Sequence, residues 1–159
     1  MSWTTKEIVD QLAKIVEPSR VKINADDLQF YGNDWSNIEK PNPLAIVFPK
    51  SIKEVQAIVD LANRLNFPLV PSGGRTGLSG GALAKDRELV VSFDRMNKIL
   101  EFNKADNLVT CQPGVVTGVL KDFAESKGLL YPVDFASVGS SQVGGNAATN
   151  AGGVNVLRY

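Results

Sequence analysis

The sequence has no histidine and one cysteine in 159 residues. Without histidine the commonest general base is missing, along with any His-containing metal site and any histidyl link to a cofactor. That argues against a self-sufficient hydrolase or metalloenzyme. With Cys111 alone no internal disulfide can form, and the expected setting is cytoplasmic. Its run, Leu108-Val-Thr-Cys-Gln112, alternates in polarity, so Cys111 reads as a buried small hydrophobe and not as a nucleophile. Neither charge sign is in excess, with 17 Lys plus Arg against 17 Asp plus Glu, which removes the basic footprint of a nucleic-acid binder. No stretch approaches the ~18 apolar residues of a membrane span. The opening, Met1-Ser-Trp-Thr-Thr-Lys-Glu7, carries neither region of a signal peptide. The phosphate loop of nucleotide triphosphatases and the Rossmann G-x-G-x-x-G are both absent, and no repeat or low-complexity tract is seen.

What is present is glycine, unevenly spread. Ten of the fourteen fall in two clusters. The first is Pro71-Ser-Gly-Gly-Arg-Thr-Gly-Leu-Ser-Gly-Gly-Ala82, directly after an apolar run. Glycine reaches φ > 0 without steric cost, so such a run can aim several backbone N–H groups at one phosphate or pyrophosphate. A flexible surface loop is the bland alternative, weakened here by Pro71, Thr76 and the flanking apolar residues. The second cluster lies in residues 139–153, among small and polar residues. Ser140 or Ser141 is placed to cap a short helix starting near Gln142. Gly144, Gly145, Ala147 and Ala148 would leave one side of that helix bare for a flat ring. Asn146, Thr149 and Asn150 offer hydrogen bonds to its polar edge. A close helix–helix contact through the small residues competes with that reading.

With 43% hydrophobic residues the chain is long enough for a genuine core. Thr4 and Glu7 form a capping-box pattern, and Ile8, Leu12, Ile15 and Val16 share a helical face that Pro18 ends. Residues 21–40 read as irregular, with Tyr31 and Trp35 anchoring a loop. Residues 44–48 predict a buried strand. Ser51 and Glu54 predict a second capping box opening a helix to about Asn66, and residues 68–71 a parallel strand. Residues 88–93 predict a third strand. Residues 98–103 and 108–112 predict a hairpin, and a helix from Thr117 is stopped by Gly128. A parallel half followed by an antiparallel half predicts an α+β fold of two small lobes with a boundary near residue 96. Residues 1–42 would be a helical lead-in and 43–159 the cofactor-binding domain.

In their order and separation, the two clusters resemble the FAD-binding (PCMH-type) domain of the vanillyl-alcohol oxidase and p-cresol methylhydroxylase superfamily. The closer likeness is to its D-2-hydroxyacid branch: glycolate oxidase flavin subunits, D-lactate dehydrogenases and D-2-hydroxyglutarate dehydrogenases. The likeness covers about residues 43–159, including Arg95-Met-Asn-Lys-Ile99 and Gln112-Pro-Gly-Val115. It implies non-covalent FAD and oxidation of a D-2-hydroxy acid to a 2-oxo acid. It places the pyrophosphate on Ser72, Gly73, Gly74, Arg75, Thr76, Gly77, Ser79 and Gly80. The flavin side would be Pro132, Asp134, Gly139, Ser140, Ser141, Gly144, Gly145, Asn146, Thr149 and Asn150. Arg75 replaces a smaller residue of many relatives, and two readings stay open: pairing with a pyrophosphate oxygen, or facing solvent. Relatives continue through the rest of the flavin domain into a cap domain, and that later part carries their catalytic histidine, so this chain reads as an amino-terminal part, inactive alone, with no catalytic residue assigned and homo-oligomerisation left open. A non-catalytic nucleotide-binding module is the alternative, with a different flavoenzyme on the same fold, such as a cell-wall amino-sugar reductase, ranked below it.

Overall fold

The computed structural model describes residues 3–36 and 38–158. They form two compact units that divide between Arg95 and Met96. The first unit opens with α1 (Thr5–Leu12). Its capping box is complete: the Glu7 N–H donates to Thr4 Oγ1 at 3.2 Å, and the Thr4 N–H to Glu7 Oε2 at 2.8 Å. The helix ends at Ala13, short of Pro18, because its last turn tightens into i→i+3 bonds at Lys14 and Ile15. Ile8, Leu12 and Val16 are buried all the same.

The stretch expected to be irregular holds two elements, β1 (Val21–Lys22) and α2 (Ala25–Tyr31). Asn24 caps α2 by accepting the Asp27 N–H at 2.9 Å, and Asp26 and Asp27 sit where the helix dipole favours negative charge. At Gly32 a Cβ would stand 2.6 Å from the Leu28 carbonyl oxygen and 2.8 Å from the Pro43 ring. Only glycine lets the chain turn back there. Of the two aromatics expected to anchor this region, Tyr31 does so, meeting Phe48 edge-on at 4.9 Å. Trp35 is 66% exposed.

β2 (Ala45–Val47), β3 (Leu69–Ser72) and β4 (Leu89–Ser92) are the parallel strands. The order is β1-β2-β4-β3, with β1 antiparallel on the β2 edge. β2 and β3 are joined through α3 (Ile52–Leu65), yet β4 lies between them. Successive side chains leave opposite faces of the sheet. Ala45, Val47, Leu89 and Val91 pack with Ile8, Leu12, Ile58 and Leu61, while Ile46, Phe48 and Val90 pack with Ala84, Leu28 and Tyr31. Each fully buried aliphatic side chain contributes about 1.5–3 kcal/mol.

The expected second capping box is only half formed. Ser51 Oγ accepts the Glu54 N–H at 3.2 Å, but the Glu54 carboxylate turns elsewhere. It accepts the Lys50 N–H at 2.6 Å and both ends of the Arg20 guanidinium at 2.7 Å. Arg20, buried at 8% exposure, also donates to the Phe48 carbonyl at 2.9 Å. A bidentate charged partner outcompetes a neutral backbone N–H. Arg20 thereby holds the Glu54 carboxyl below its ordinary value. Asn66 stops α3 in the left-handed region, with φ 54°.

In the second unit, β5 (Ile99–Asn103) and β6 (Leu108–Cys111) form the expected hairpin. Asn103 Oδ1 accepts the Ala105 and Asp106 N–H groups, and Asn107 takes φ 51° to close the turn. α4 (Thr117–Glu125) buries Leu120 and Ala124, sets Phe123 edge-on to Phe102 at 5.9 Å, and is followed by Gly128 at φ 73°. α5 (Val143–Ala148) is a short helix near the end. Cys111 is half-buried and burial pushes its thiol up, which suits a packing residue.

Candidate cofactor site

The first glycine stretch leaves the carboxyl end of β3, where ligands of parallel sheets bind. Ser72, the last residue of that strand, is fully buried and its hydroxyl has no hydrogen-bond partner. From residue 73 to residue 82, no backbone N–H donates a hydrogen bond among the described residues. The chain is tied down again only by Leu83 N–H to the Gly80 carbonyl and Ala84 N–H to the Gly32 carbonyl. None of residues 73–82 is buried, so these N–H groups are accessible to solvent or to a ligand. Ten successive uncommitted N–H groups beside a buried orphan hydroxyl therefore suit an anionic ligand.

The left-handed residues of this loop are Arg75, at φ 58°, and Gly80, at φ 76°. Gly73, Gly74, Gly77 and Gly81 are not left-handed, contrary to the conformational role expected of them. At Gly81 a Cβ would meet nothing within 4 Å. Glycine here leaves the backbone uncovered.

Arg75 does not face solvent, which overturns one of its two readings: its side chain is 17% exposed. Nη1 donates to the Gly73 carbonyl at 2.9 Å and lies 3.8 Å from Asp94 Oδ2. The guanidinium carbon stands 4.8 Å from the ring centres of both Phe30 and Tyr31. Burial, with Asp94 adding to it, pushes the Tyr31 hydroxyl up, and Arg75 opposes the shift. Thr76 is half-buried, and Ser79 is exposed. Beneath the loop, buried Asp34 takes the Ser36 N–H and hydroxyl on Oδ1, while its Oδ2 has no hydrogen-bond partner.

The second stretch is built differently. Neither Ser140 nor Ser141 caps α5; the N-cap is Gln142, with no side-chain bond. Ser140 is exposed, whereas Ser141 is 1% exposed and committed to Thr117. Its carbonyl accepts the Thr117 N–H at 2.9 Å and the Thr117 hydroxyl at 3.1 Å, and the two hydroxyls are 2.7 Å apart. Asn146 Nδ2 also donates to Thr117 Oγ1, at 2.7 Å. Gly144 is glycine for packing, since a Cβ would lie 2.6 Å from Pro113 Cβ. Gly139 and Gly145 face open space. Thr149 bonds back to the Gly145 carbonyl at 2.9 Å, and Asn150 is exposed with φ 53°. Pro132 accepts Asn155 Nδ2 at 3.0 Å. Asp134 pairs with Lys121 at 3.1 Å and bridges to Gly153.

The family model described as FAD binding domain matches residues 43–159. The chain belongs to this family. Over 156 residues it is 60% identical to a D-2-hydroxyglutarate dehydrogenase of Stutzerimonas stutzeri strain A1501, covering 98% of this chain and 34% of that protein. The chain thus spans about a third of the length of the curated relatives it matches. Among solved structures, alkyldihydroxyacetonephosphate synthase superimposes with a TM-score of 0.85 at 25% identity, over 96% of this chain and 33% of that one. Substrate-bound p-cresol methylhydroxylase shares the fold with a TM-score of 0.61 at 19% identity, over 82% and 26%.

In this FAD binding domain, the candidates at residues 72–80 form one continuous stretch within the first unit. The candidates of the second unit separate into two kinds: Ser141, Gly144 and Asn146 are committed to the fold, while Gly139, Ser140, Gly145 and Asn150 stay open. The sequence reading assigned Tyr31 only an anchoring role and missed Phe30, Asp34 and Asp94 beside the first glycine stretch. Asn24 followed by Asp27 was the available signal for the helix carrying the two rings. Among the described residues no helix is long and apolar enough to cross a membrane.

Proposed function

We propose that this chain is the FAD-holding part of a flavin-dependent dehydrogenase that oxidises a D-2-hydroxy acid to the 2-oxo acid. The observation that carries the reading is the ten-residue run of uncommitted backbone donors at the carboxyl end of a parallel strand. The N–H groups of residues 73–77 and the Ser72 hydroxyl would hold the diphosphate. When bound, FAD supplies the two-electron acceptor. The chain's own part is to orient it by fixed dipoles that need no rearrangement; no residue here is assigned as acid or base.

The class of substrate is supported by the relative named D-2-hydroxyglutarate dehydrogenase, and a single half-buried cysteine suits a cytoplasmic setting. Two measurements test the reading. FAD titrated into the purified chain is expected to saturate, with ADP competing for the diphosphate cradle. In the full-length protein, D-2-hydroxyglutarate, D-lactate and glycolate assayed with an artificial acceptor should show turnover of at least one. Absence of saturable FAD binding in both forms would sink it.

A further inference from the structure

Arg75 holds a left-handed φ of 58° in a loop where glycine is plentiful. A non-glycine residue there is strained, and its side-chain contacts must offset that strain. Those contacts are all internal: the Gly73 carbonyl, Asp94, and the rings of Phe30 and Tyr31. The Gly73 carbonyl is the telling one. A planar trans peptide points its N–H opposite its C=O, so fixing the Gly73 carbonyl also fixes the direction of the Gly74 N–H. That peptide lies between two glycines, where rotation about the flanking bonds is least hindered.

We propose that Arg75 is a positioning residue, not an anion ligand. Its guanidinium fastens the glycine loop to α2 and Asp94 and so keeps the Gly74 N–H aimed into the cradle. This rests on the loop being the FAD diphosphate site. Turning Arg75 toward the diphosphate would break the hydrogen bond to the Gly73 carbonyl, separate an ion pair and take the cation off two ring faces. The role also explains why a guanidinium is used: one planar fork can bond, pair and stack together, which an ammonium cannot.

The test compares Arg75→Met, Arg75→Lys and Asp94→Asn, each in the ligand-free chain and in the full-length protein with FAD. A positioning role predicts that the Gly74 amide order parameter from ¹⁵N relaxation falls in all three ligand-free variants. It also predicts that Arg75→Met weakens FAD binding by about tenfold and that Arg75→Lys recovers little of it. Asp94→Asn should weaken binding in the same direction, though less. An anion ligand predicts the reverse sign at Asp94, because removing that carboxylate frees the guanidinium for the diphosphate. Tighter FAD binding in Asp94→Asn, or wild-type affinity in Arg75→Lys, would overturn the proposal. So would an unchanged Gly74 order parameter in Arg75→Met. If the wild-type protein binds no FAD, the flavin reading fails instead, and the ligand-free arm still decides what Arg75 does.

Discussion

The two glycine-rich stretches are nearly alike in composition and opposite in construction. Residues 73–82 donate no backbone hydrogen bond among the described residues, and a Cβ at Gly81 would meet nothing. In residues 139–153 most amides are spoken for. Val143 donates to Val115, Gly144 to Pro113, Asn146 to Gln142 and Ala151 to Asn146. There glycine permits close approach, as at Gly144 against Pro113 and Gly153 against Asp134. The lesson concerns what glycine means. The same residue can leave donors exposed for a ligand or bring two backbones into contact, and composition does not distinguish the two uses.

Substitutions should separate the stretches sharply. The largest effect is expected at Gly153, where φ is 87° and a Cβ would stand 2.1 Å from the Asp134 carbonyl oxygen. Gly153→Ala should cost about 3 kcal/mol or more in urea denaturation, and Gly144→Ala about 2 kcal/mol, since the Pro113 ring cannot rotate away. Comparable losses from Gly81→Ala would break the comparison.

A second contrast lies in the polar groups that each unit ties together. The first unit uses an ion pair, Arg20 with Glu54; the second uses the neutral cluster of Thr117, Ser141 and Asn146. Hydrogen bonds from Arg20, then the Lys50 N–H, hold the Glu54 carboxyl below its ordinary 4.5 against the opposing pull of burial. A carboxyl lowered in the folded state stabilises it above the unfolded value and ceases to do so as pH falls through the folded one. Glu54→Gln should therefore cost about 2 kcal/mol at neutral pH and progressively less below pH 4.5. Denaturant midpoints measured from pH 7 to pH 3 would show whether the two proteins converge. Thr117→Val should cost about 1–2 kcal/mol, with a loss that does not change over the same range. A pH-dependent loss at Thr117 would remove the distinction.

The smallest effect on folding is expected at Gly81. Gly81→Ala should stay within about 0.5 kcal/mol of wild type, because the position is open. Its FAD affinity in the full-length protein then shows how near the ligand passes.

What was legible in the sequence was local. The Thr4–Glu7 box, the three apolar runs of the sheet and the turn at residues 104–107 are all decided by neighbours within a few residues. What escaped was decided at a distance. Glu54 abandons Ser51 because Arg20 reaches it from 34 positions away. α2 has no buried residue to give an apolar stripe, so only its cap marked it. Arg75 takes the left-handed turn that the glycines around it seemed made for, because Phe30, Tyr31 and Asp94 compensate the strain. Ser141 looked like a cap and is a buried tether, since Thr117 lies 24 residues upstream.

The strand order has a consequence for how the chain is made. β2 and β3 leave the ribosome before β4 and share no edge; both wait for β4, the last of the four strands to emerge. Until residue 92 is synthesised, the apolar Ala45–Val47 strand has only the two-residue β1 to pair with. Such an exposed parallel edge is slow to satisfy and open to association with other chains. β4 pairs with both β2 and β3, closing residues 73–88 between the strands. Because closure entropy rises only slowly with length, the long glycine loop adds little to that barrier. The loop's two ends are thus held side by side only once β4 is in place, and a nascent chain arrested before Leu89 would carry these glycines tethered at one end.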